Sequence, residues 1–282
     1  MNSKNGIFSF EFFPPKTAEG IEKLRATQAE LAKVEPRFFS VTFGAGGSTR
    51  DRTAETVFDI QTKSGIETAP HISCISSTRE NISEMLTHYR ERDISHIVAL
   101  RGDMPSGMVE AGEFRYANEL VAFIRETTGD HFHIEVAAYP EYHPQATSPD
   151  RDLANFRRKV EAGANSAITQ YFYNADAYFR FIERCGKNGI DIPIVPGIMP
   201  ITNYFQLARF SDACGAEIPR WIRKPLEIYG EDIDSIRAFG EEVVTGLCER
   251  LLQHGAPGLH FYTLNRSAPA LAIWNNLGLS DL

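Results

Sequence analysis

Eight short β-rich runs alternate along the chain with longer amphipathic stretches. The runs are IFSFEFF (7–13), FFSVTFG (38–44), APHISCI (69–75), HIVALRG (96–102), HIEVAAYP (133–140), SAITQYF (166–172), IPIVPGIMP (192–200) and GLHFYTL (258–264). The stretches between them have helical spacing, with Thr17 as a predicted N-cap and Gly163 as a predicted helix stop. This alternation predicts an α/β fold, a (β/α)₈ TIM barrel. An open doubly wound sheet is the alternative, but eight parallel strands favour closure.

The interval between the seventh and eighth runs, residues 201–257, is longer than the others. Two stretches within it have helical spacing, so an extra helix is predicted before the last strand. No linker or composition change divides the chain, and we predict one catalytic barrel domain over residues 1–282. The run GAGGST at 44–49 is not a dinucleotide fingerprint, because its sixth position is Thr49.

Alternation along the first strand separates two kinds of side chain. Phe8, Phe10 and Phe12 share one face, and Glu11 lies on the other. Because a phenylalanine face suits packing against the outer helices, we predict that Glu11 points into the barrel.

The same alternation applies to the later strands, and in the fourth it sets Val98 and Leu100 against Arg101 and Asp103. The polar positions fall toward the carboxyl ends of the strands, where TIM barrels build their active sites. We therefore predict one shared site containing Glu11, Thr42, His71, Arg101, Asp103, Tyr139 and Gln170. Taken singly, such residues are more often solvated rim or hydrogen-bonded core positions.

Several nearby residues have the chemistry of ligand binding. Arg101 can form a forked pair with an anion such as a phosphate, and Gly102 allows a flat ligand to approach the backbone. After the fifth strand, AAYPEYHP adds aromatic rings and His143. The following helix carries Asp152, Asn155 and Lys159 on one face, with Arg158 beside them. These predict a phosphate and ribose clamp, although an exposed amphipathic helix would give the same pattern.

Composition narrows the class of protein. The 282 residues carry a formal net charge of −8, so a basic surface for nucleic acid is not predicted. The chain shows no signal peptide and no long apolar run, which predicts a cytoplasmic protein with no membrane segment. The four cysteines form no CxxC pair, and we predict neither disulfides nor a metal site.

Seven motifs together identify a family resemblance. FSFEFFPPK, SVTFGAGGSTRD, ALRGD, AAYPEYHP, KVEAGANSAITQYFY, PGIMPITN and HFYTLNR, in this order over residues 6–278, resemble methylenetetrahydrofolate reductase of the bacterial type. The resemblance implies an FAD-containing barrel that reduces 5,10-methylenetetrahydrofolate to 5-methyltetrahydrofolate, for methionine synthesis. It implies NADH as the usual donor, ping-pong hydride transfer and a homo-oligomer. It also implies that the C-terminal regulatory domain of the eukaryotic enzymes is absent.

The resemblance assigns roles residue by residue. Glu11 matches the family's general acid, Asp103 a carboxylate between flavin and folate, and Gln170 a catalytic residue that contacts folate. Phe210 matches an aromatic that stacks on either substrate, and Tyr262 and Arg266 match contacts of the folate tail. Predicted FAD contacts are Thr42, His71, Arg101, Gly102, Asp103, Tyr139, His143, Asp152, Asn155, Arg158 and Lys159. Phe114 departs from the family pattern, since relatives have tyrosine there.

The implied reaction requires a proton. The methylene carbon bridges two nitrogens and must open to an iminium before it accepts hydride, so the leaving nitrogen needs a general acid. We expect rings such as Phe13, together with a stacked flavin, to desolvate Glu11 and raise its pKa. Asp103, kept ionised, would then stabilise the cation.

Other functions remain open from the sequence. A different flavin barrel, of the proline dehydrogenase type, would share the cofactor but not the folate. A flavin-free aldolase or hydrolase would not be yellow. A folate- or flavin-binding protein without turnover is a third possibility, and an NADH oxidation assay separates it from an enzyme.

Overall fold

The computed structural model describes residues 6–43, 47–102 and 112–281. Its strands are β1 (Ile7–Phe12), β2 (Phe38–Val41), β3 (Thr68–Ser73), β4 (His96–Leu100), β5 (His133–Ala138), β6 (Ser166–Thr169), β7 (Ile194–Val195), β8 (Gly197–Ile198) and β9 (Gly258–Tyr262). Every pairing described between them is parallel.

The strands form a barrel. Their order is β7-β6-β5-β4-β3-β2-β1-β9-β8, and the two ends of this order are neighbours along the chain on either side of Pro196. Proline has no N–H for the ladder, so the predicted seventh strand is divided into β7, paired with β6, and β8, paired with β9. The prediction of a TIM-type barrel is confirmed.

Helices follow the strands around the outside. In the described part of the chain they are α1 (Ala18–Ala32), α2 (Gly47–Ser64), α3 (Arg79–Arg90), α4 (Ala117–Thr128), α5 (Pro149–Glu161), α6 (Ala175–Lys187), α7 (Tyr204–Cys214), α8 (Arg220–Tyr229), α9 (Ile233–Gln253) and α10 (Ala268–Asn276), followed by a 3₁₀ turn, Leu279–Asp281. Thr17 caps α1 by accepting from the Gly20 N–H at 3.1 Å. Gly163 follows α5 with φ +114°, as the sequence predicts.

The extra helix before the last strand is confirmed, and the structure adds another. Between β8 and β9 lie α7, α8 and α9. The sequence pattern missed α8, which contains Pro225, a residue that normally ends helices. Burial of Ile222 and Leu226 against the core stabilises α8 in spite of this proline.

The core has two apolar layers separated by the strands. Outside the barrel, the phenylalanine face of β1 packs as predicted, and Phe10 stacks on Phe261 with ring centroids 5.4 Å apart. Inside, the smaller cluster is Phe38, Ala69, Val98 and Ile168, with Ile7, Leu100 and Tyr262 against it.

This inner cluster corrects the assignment of faces on β4. Val98 and Leu100 point into the barrel, whereas Ile97 and Ala99 belong to the outer core. The strand ends at Leu100, so alternation does not govern Arg101.

None of the helices in the described ranges combines the length and apolar character that a bilayer span needs.

Candidate active site

Glu11 lies inside the barrel between two imidazoles. Its Oε2 is 3.3 Å from Nε2 of His71 on β3 and 3.4 Å from Nε2 of His260 on β9. The other ring nitrogen of His260, Nδ1, lies 2.7 Å from the hydroxyl of Ser9. Ser9 is the preceding inward-facing residue of β1. The side chain of Glu11 is only 15% exposed and that of His260 is fully buried, so bulk water does not screen this cluster.

The environment of Glu11 contradicts the expectation of a raised pKa. Burial by itself raises the pKa, but the charge on His71, the hydrogen bond from His260 and the close approach of His71 outweigh it, and the pKa falls from 4.5 to about 2. Phe13, expected to help desolvate the carboxyl, is 44% exposed. The expectation failed because it considered the carboxyl without the two imidazoles that tertiary structure places beside it.

His260 is the site residue that sequence reasoning missed. It sits in the eighth predicted run, and the register pairs Ser9 with His260 and Glu11 with Tyr262. Alternation along GLHFYTL, had it been applied, would have put His260 and Tyr262 on one face. Barrel closure decides which strand lies beside β1.

Arg101 and Gly102 follow β4 at the rim. Arg101 donates from Nη2 to the Gln145 side chain at 2.6 Å and from Nε to the Gly102 carbonyl at 3.2 Å. Gly102 has φ +83°, and a Cβ there would lie 1.8 Å from Oγ of Ser73. The glycine is therefore needed for packing within the protein. Asp103 lies outside the described residues.

The loop after β5 brings three predicted residues together. The rings of Tyr139 and His143 meet edge to face with centroids 4.7 Å apart. The backbone N–H of His143 donates to Oδ2 of Asp152 at 3.1 Å. Burial raises the pKa of Asp152. The sequence placed these residues together correctly, since α5 begins near the same rim.

The predicted cationic face of α5 divides in the structure. Lys159 turns inward and donates from Nζ to the Ala137 carbonyl on β5, and burial lowers its pKa to about 8, which Asp152 partly opposes. Arg158 is exposed and donates to the Asn155 side chain at 2.8 Å. Because residues three and four apart share a face only approximately, packing determines which cation enters the wall.

Tyr262 lies beside Glu11 on β9, and Gln170 follows β6. The Tyr262 hydroxyl donates to the Thr169 carbonyl at 2.7 Å, and its ring lies so close to Gly197 that a Cβ there would be 2.6 Å away. Gln170 follows β6, and its Oε1 accepts the next backbone N–H, that of Tyr171, at 3.0 Å. Tyr262 is thus fixed at both ends, by its hydroxyl and by its ring.

The remaining predicted residues have simpler surroundings. The backbone N–H of Thr42 donates to the Phe12 carbonyl at 2.9 Å, which holds it beside the end of β1. Phe210 on α7 is half-buried against the core. Phe114 is fully buried, with its ring 5.4 Å from that of Phe123.

Arg266 is separated from the Glu11 cluster. It lines a cavity of about 640 Å³ between α1, the β8–α7 loop, α9 and the start of α10. Thr27, Thr202 and Asn265 also line it. Among the described residues, Arg266 is the single predicted site residue in this lining. The side chain of Asn265 bonds the backbone of Phe13, which connects this cavity to the end of β1.

The side chains at the rim fit a flavin dinucleotide. Nε2 of His71 is buried and makes no hydrogen bond of good geometry to the described residues. Arg101 supplies a forked cation for a diphosphate, and Tyr139 supplies a ring for a flat heterocycle. These residues come from three successive strand ends, as one elongated ligand requires.

Comparison with known proteins decides the family. The family model for methylenetetrahydrofolate reductase matches residues 1–278. The chain belongs to the methylenetetrahydrofolate reductase family. It is 41% identical over 271 residues to the 5,10-methylenetetrahydrofolate reductases of Salmonella typhimurium and Escherichia coli, covering 96% of this chain and 90% of each relative. Family membership makes it an oxidoreductase that acts on folate, and removes the proline dehydrogenase alternative.

A longer relative and a solved structure complete the comparison. Methylenetetrahydrofolate reductase (NADH) 1 of Arabidopsis thaliana is 41% identical, covering 97% of this chain and 48% of the plant protein. The solved structure, an uncharacterized protein from Clostridium thermocellum that binds two copies of 5-methyl-5,6,7,8-tetrahydrofolic acid, superposes with a TM-score of 0.69 at 16% identity. The superposition covers 98% of this chain and 94% of the Clostridium thermocellum protein, and it supports the barrel fold.

Proposed function

We propose that this protein reduces 5,10-methylenetetrahydrofolate to 5-methyltetrahydrofolate, with FAD as its cofactor and NADH as its usual electron donor. The observation that carries the proposal is the Glu11 carboxyl inside the barrel, between His71 and His260. An acid at this position, next to residues suited to a flavin, meets the chemical need of this reaction. The product serves methionine synthesis.

The role of Glu11 is to protonate the substrate. When bound, FAD would supply the hydride. The methylene carbon accepts that hydride only after one of its two bonds to nitrogen has opened, and the departing nitrogen takes a proton as it leaves. Glu11 is the carboxyl inside the barrel wall that can donate it. Asp103 is proposed to remain ionised and stabilise the cationic iminium.

Glu11 has to take up a proton before it can donate one. At neutral pH the carboxyl of Glu11 is ionised, because its pKa is about 2. The Nε2 atoms of His71 and His260 face the carboxylate at 3.3 and 3.4 Å and are placed to pass a proton to it. As the substrate nitrogen becomes basic, Glu11 takes a proton from an imidazole Nε2 and passes it to that nitrogen, which leaves the carboxylate ionised as before.

The other site residues bind and orient the two substrates. Gln170 is proposed to contact the folate, and Phe210 to stack on nicotinamide and pterin in turn, since both are flat. Sharing one stacking surface predicts ping-pong kinetics. Tyr262 and Arg266 are proposed to contact the folate tail, and the cavity that Arg266 lines has room for such a chain.

The proposed flavin contacts divide by chemistry. Arg101 and Arg158 are the cations suited to the diphosphate, and Tyr139 offers a ring surface. The others are polar or small residues near the same rim, namely Thr42, His71, Gly102, Asp103, His143, Asp152, Asn155 and Lys159. Lys159 contributes to the wall in a different way, because its ammonium bonds a backbone carbonyl.

We also propose that the protein is a homo-oligomer. Trp221 is 60% exposed and Ile228 is 81% exposed on α8. They are seven residues apart, so they lie on the same side of that helix. Two large apolar side chains on one outward face support an interface between copies of the chain.

The decisive experiment separates the two half-reactions. The purified protein is reduced anaerobically with NADH, and 5,10-methylenetetrahydrofolate is then added while flavin absorbance is followed. Reoxidation at a rate matching turnover, with formation of 5-methyltetrahydrofolate, supports the proposal. A flavin that NADH reduces but the folate leaves reduced would rule it out.

A further inference from the structure

Three titratable side chains meet at the amino-terminal end of the barrel. His96 and His133 are the first residues of β4 and β5, and Glu135 is two positions further along β5. One ligand atom from each of the three lies within 4.8 Å of the others. We call His96, His133 and Glu135 the basal cluster. The proposed reduction of folate uses none of these side chains.

Two of the three spacings in the basal cluster are close to those of a tetrahedral metal centre. Oε1 of Glu135 is 3.4 Å from Nε2 of His96 and 3.6 Å from Nε2 of His133. Zinc bonds nitrogen and oxygen at about 2.0–2.1 Å, so two ligand atoms of a tetrahedral zinc are about 3.3 Å apart. The three donors therefore need small adjustments to share one ion. His133 has 46% of its side chain exposed and can make them once it gives up its contact with the Ser166 hydroxyl.

Two buried atoms of the cluster have no hydrogen-bond partner among the described residues. Nε2 of His96 and Oε2 of Glu135 both lack one, although the first is close to Oε1 of Glu135. His96 is 5% exposed and Glu135 is 2% exposed. Buried polar atoms are normally satisfied, and an exception calls for an explanation such as an ion. A metal bound to Nε2 of His96 provides it for that nitrogen.

The far side of His96 is supported as in many metal sites. Its Nδ1 is 3.5 Å from Oε2 of Glu67, which precedes β3. The Ser95 hydroxyl donates to the other oxygen of Glu67 at 2.5 Å. A carboxylate that accepts from the free nitrogen of a ligating histidine fixes the tautomer and orients the ring.

The cluster is open on one side and closed on the other. Half-exposed His133 faces solvent, and its Nε2 is 2.5 Å from the Ser166 hydroxyl, a contact that a metal ion would replace. On the inner side, the centroid of the Phe38 ring lies 4.3 Å from the ring centroid of His96 and 6.1 Å from the ring centroid of His260. Phe38 thus separates the basal cluster from the Glu11 site.

We propose that His96, His133 and Glu135 bind one divalent transition-metal ion of the zinc type, with Glu67 supporting His96 from behind. Two imidazoles and a carboxylate are ligands that zinc accepts, and a water completes the tetrahedron. The ion joins β4 to β5 at the amino-terminal end of the barrel. Its role there is to stabilise the fold.

The test is a metal titration of the full chain without an affinity tag, since tags bind the same ions. Zn²⁺ binding is measured by calorimetry, and Co²⁺ binding by absorption at wavelengths beyond those of flavin. The informative variant is His133→Ala, because half-exposed His133 can be truncated without opening the core. The matched control is His131→Ala, which removes an exposed histidine two residues away whose Nε2 bonds the Ile94 carbonyl.

We expect one Zn²⁺ per chain, a tetrahedral Co²⁺ spectrum without thiolate bands, and a higher Tm with Zn²⁺. His133→Ala should weaken binding at least about tenfold, and Glu67→Gln should weaken it about 10- to 100-fold. His131→Ala should bind as the parent does. Equal affinity in the parent and His133→Ala, or no stoichiometric binding by the parent, would overturn the proposal.

Discussion

Oε2 of Glu11 lies 3.3 Å from Nε2 of His71, although their strands are not neighbours in the sheet. Strand β2 lies between β1 and β3, and the residue that pairs with Glu11 on it is Ser40. The small side chain of Ser40 leaves space for the carboxyl and imidazole to meet across the barrel interior. Curvature of the closed sheet and a small intervening residue together create the contact.

Replacing the acid should separate the two half-reactions. Glu11→Gln keeps the shape of the side chain but cannot donate a carboxyl proton. We expect reduction of 5,10-methylenetetrahydrofolate to fall about 10²- to 10⁴-fold, as for loss of a general acid. Reduction of the flavin by NADH should continue, because it needs no proton on folate nitrogen. Stopped-flow absorbance measures both steps.

The control for that experiment is Glu30→Gln, which changes an exposed carboxyl on α1 that pairs with Lys33. Its two half-reactions should match those of the parent protein. If Glu11→Gln reduced the folate at the parent rate, Glu11 would not be the acid.

The low pKa of Glu11 predicts how stability depends on pH. The folded value of about 2 is below the unfolded value of 4.5, so between these values the unfolded chain binds more protons. The stability from ionised Glu11 is present above pH 4.5 and is lost as pH falls toward 2. Glu11→Gln lacks this contribution. The difference in unfolding free energy between parent and variant should shrink by on the order of 3 kcal/mol on acidification.

Urea unfolding at several pH values across that window measures the difference. Parallel curves for the parent and Glu11→Gln would mean that the imidazoles do not hold the carboxyl ionised.

The packing of Tyr262 against Gly197 predicts a sharp steric effect. A Cβ on Gly197 would lie 2.1 Å from the Thr169 carbonyl and 2.6 Å from the Tyr262 ring. Gly197→Ala should therefore destabilise the protein by about 1–3 kcal/mol and raise the KM for folate by displacing Tyr262. Gly246→Ala, on an open face of α9, should instead stabilise it by about 0.5–1 kcal/mol. Thermal unfolding and steady-state kinetics of both variants would show whether the contrast holds.

Flavin retention tests the proposed role of Arg101. Arg101→Gln removes a forked cation at the rim, and we expect the FAD dissociation constant to rise at least about tenfold. The control is Arg157→Gln, which alters an exposed α5 arginine paired with Glu161. Fluorescence of released flavin after dilution measures both. Unchanged retention in Arg101→Gln would place the diphosphate elsewhere.

The outward face of α8 predicts a change of assembly. Ile228→Lys puts a charge on the most exposed of the large apolar residues described. If α8 lies in an interface between copies, burying the unpaired lysine charge there would cost free energy and weaken the assembly. Light scattering should then show a smaller particle. Tyr116→Lys alters another exposed ring, at the N-cap of α4, and should leave the mass unchanged. An Ile228→Lys protein with the mass of the parent would exclude α8 from any interface.

The barrel was predictable because its determinants are local. A short β-rich run indicates each strand, and apolar spacing with capping residues such as Thr17 and Gly163 indicates each helix. Helix α8 was not predictable in this way, since Pro225 argues against it and only packing of Ile222 and Leu226 sustains it. The division of the seventh strand at Pro196 is a local effect, because the proline lies within the run IPIVPGIMP itself.

The sequence by itself determined the barrel, the inward direction of Glu11 and the family. Period-two alternation and motif order are properties of the chain that do not depend on what each segment touches. Tertiary structure alone decided that His71 and His260 face Glu11 and lower its pKa, that Lys159 turns into the wall, and that His96, His133 and Glu135 converge. The physical reason is that electrostatic energy depends on distances across the barrel, and closure sets those distances between residues up to 249 positions apart.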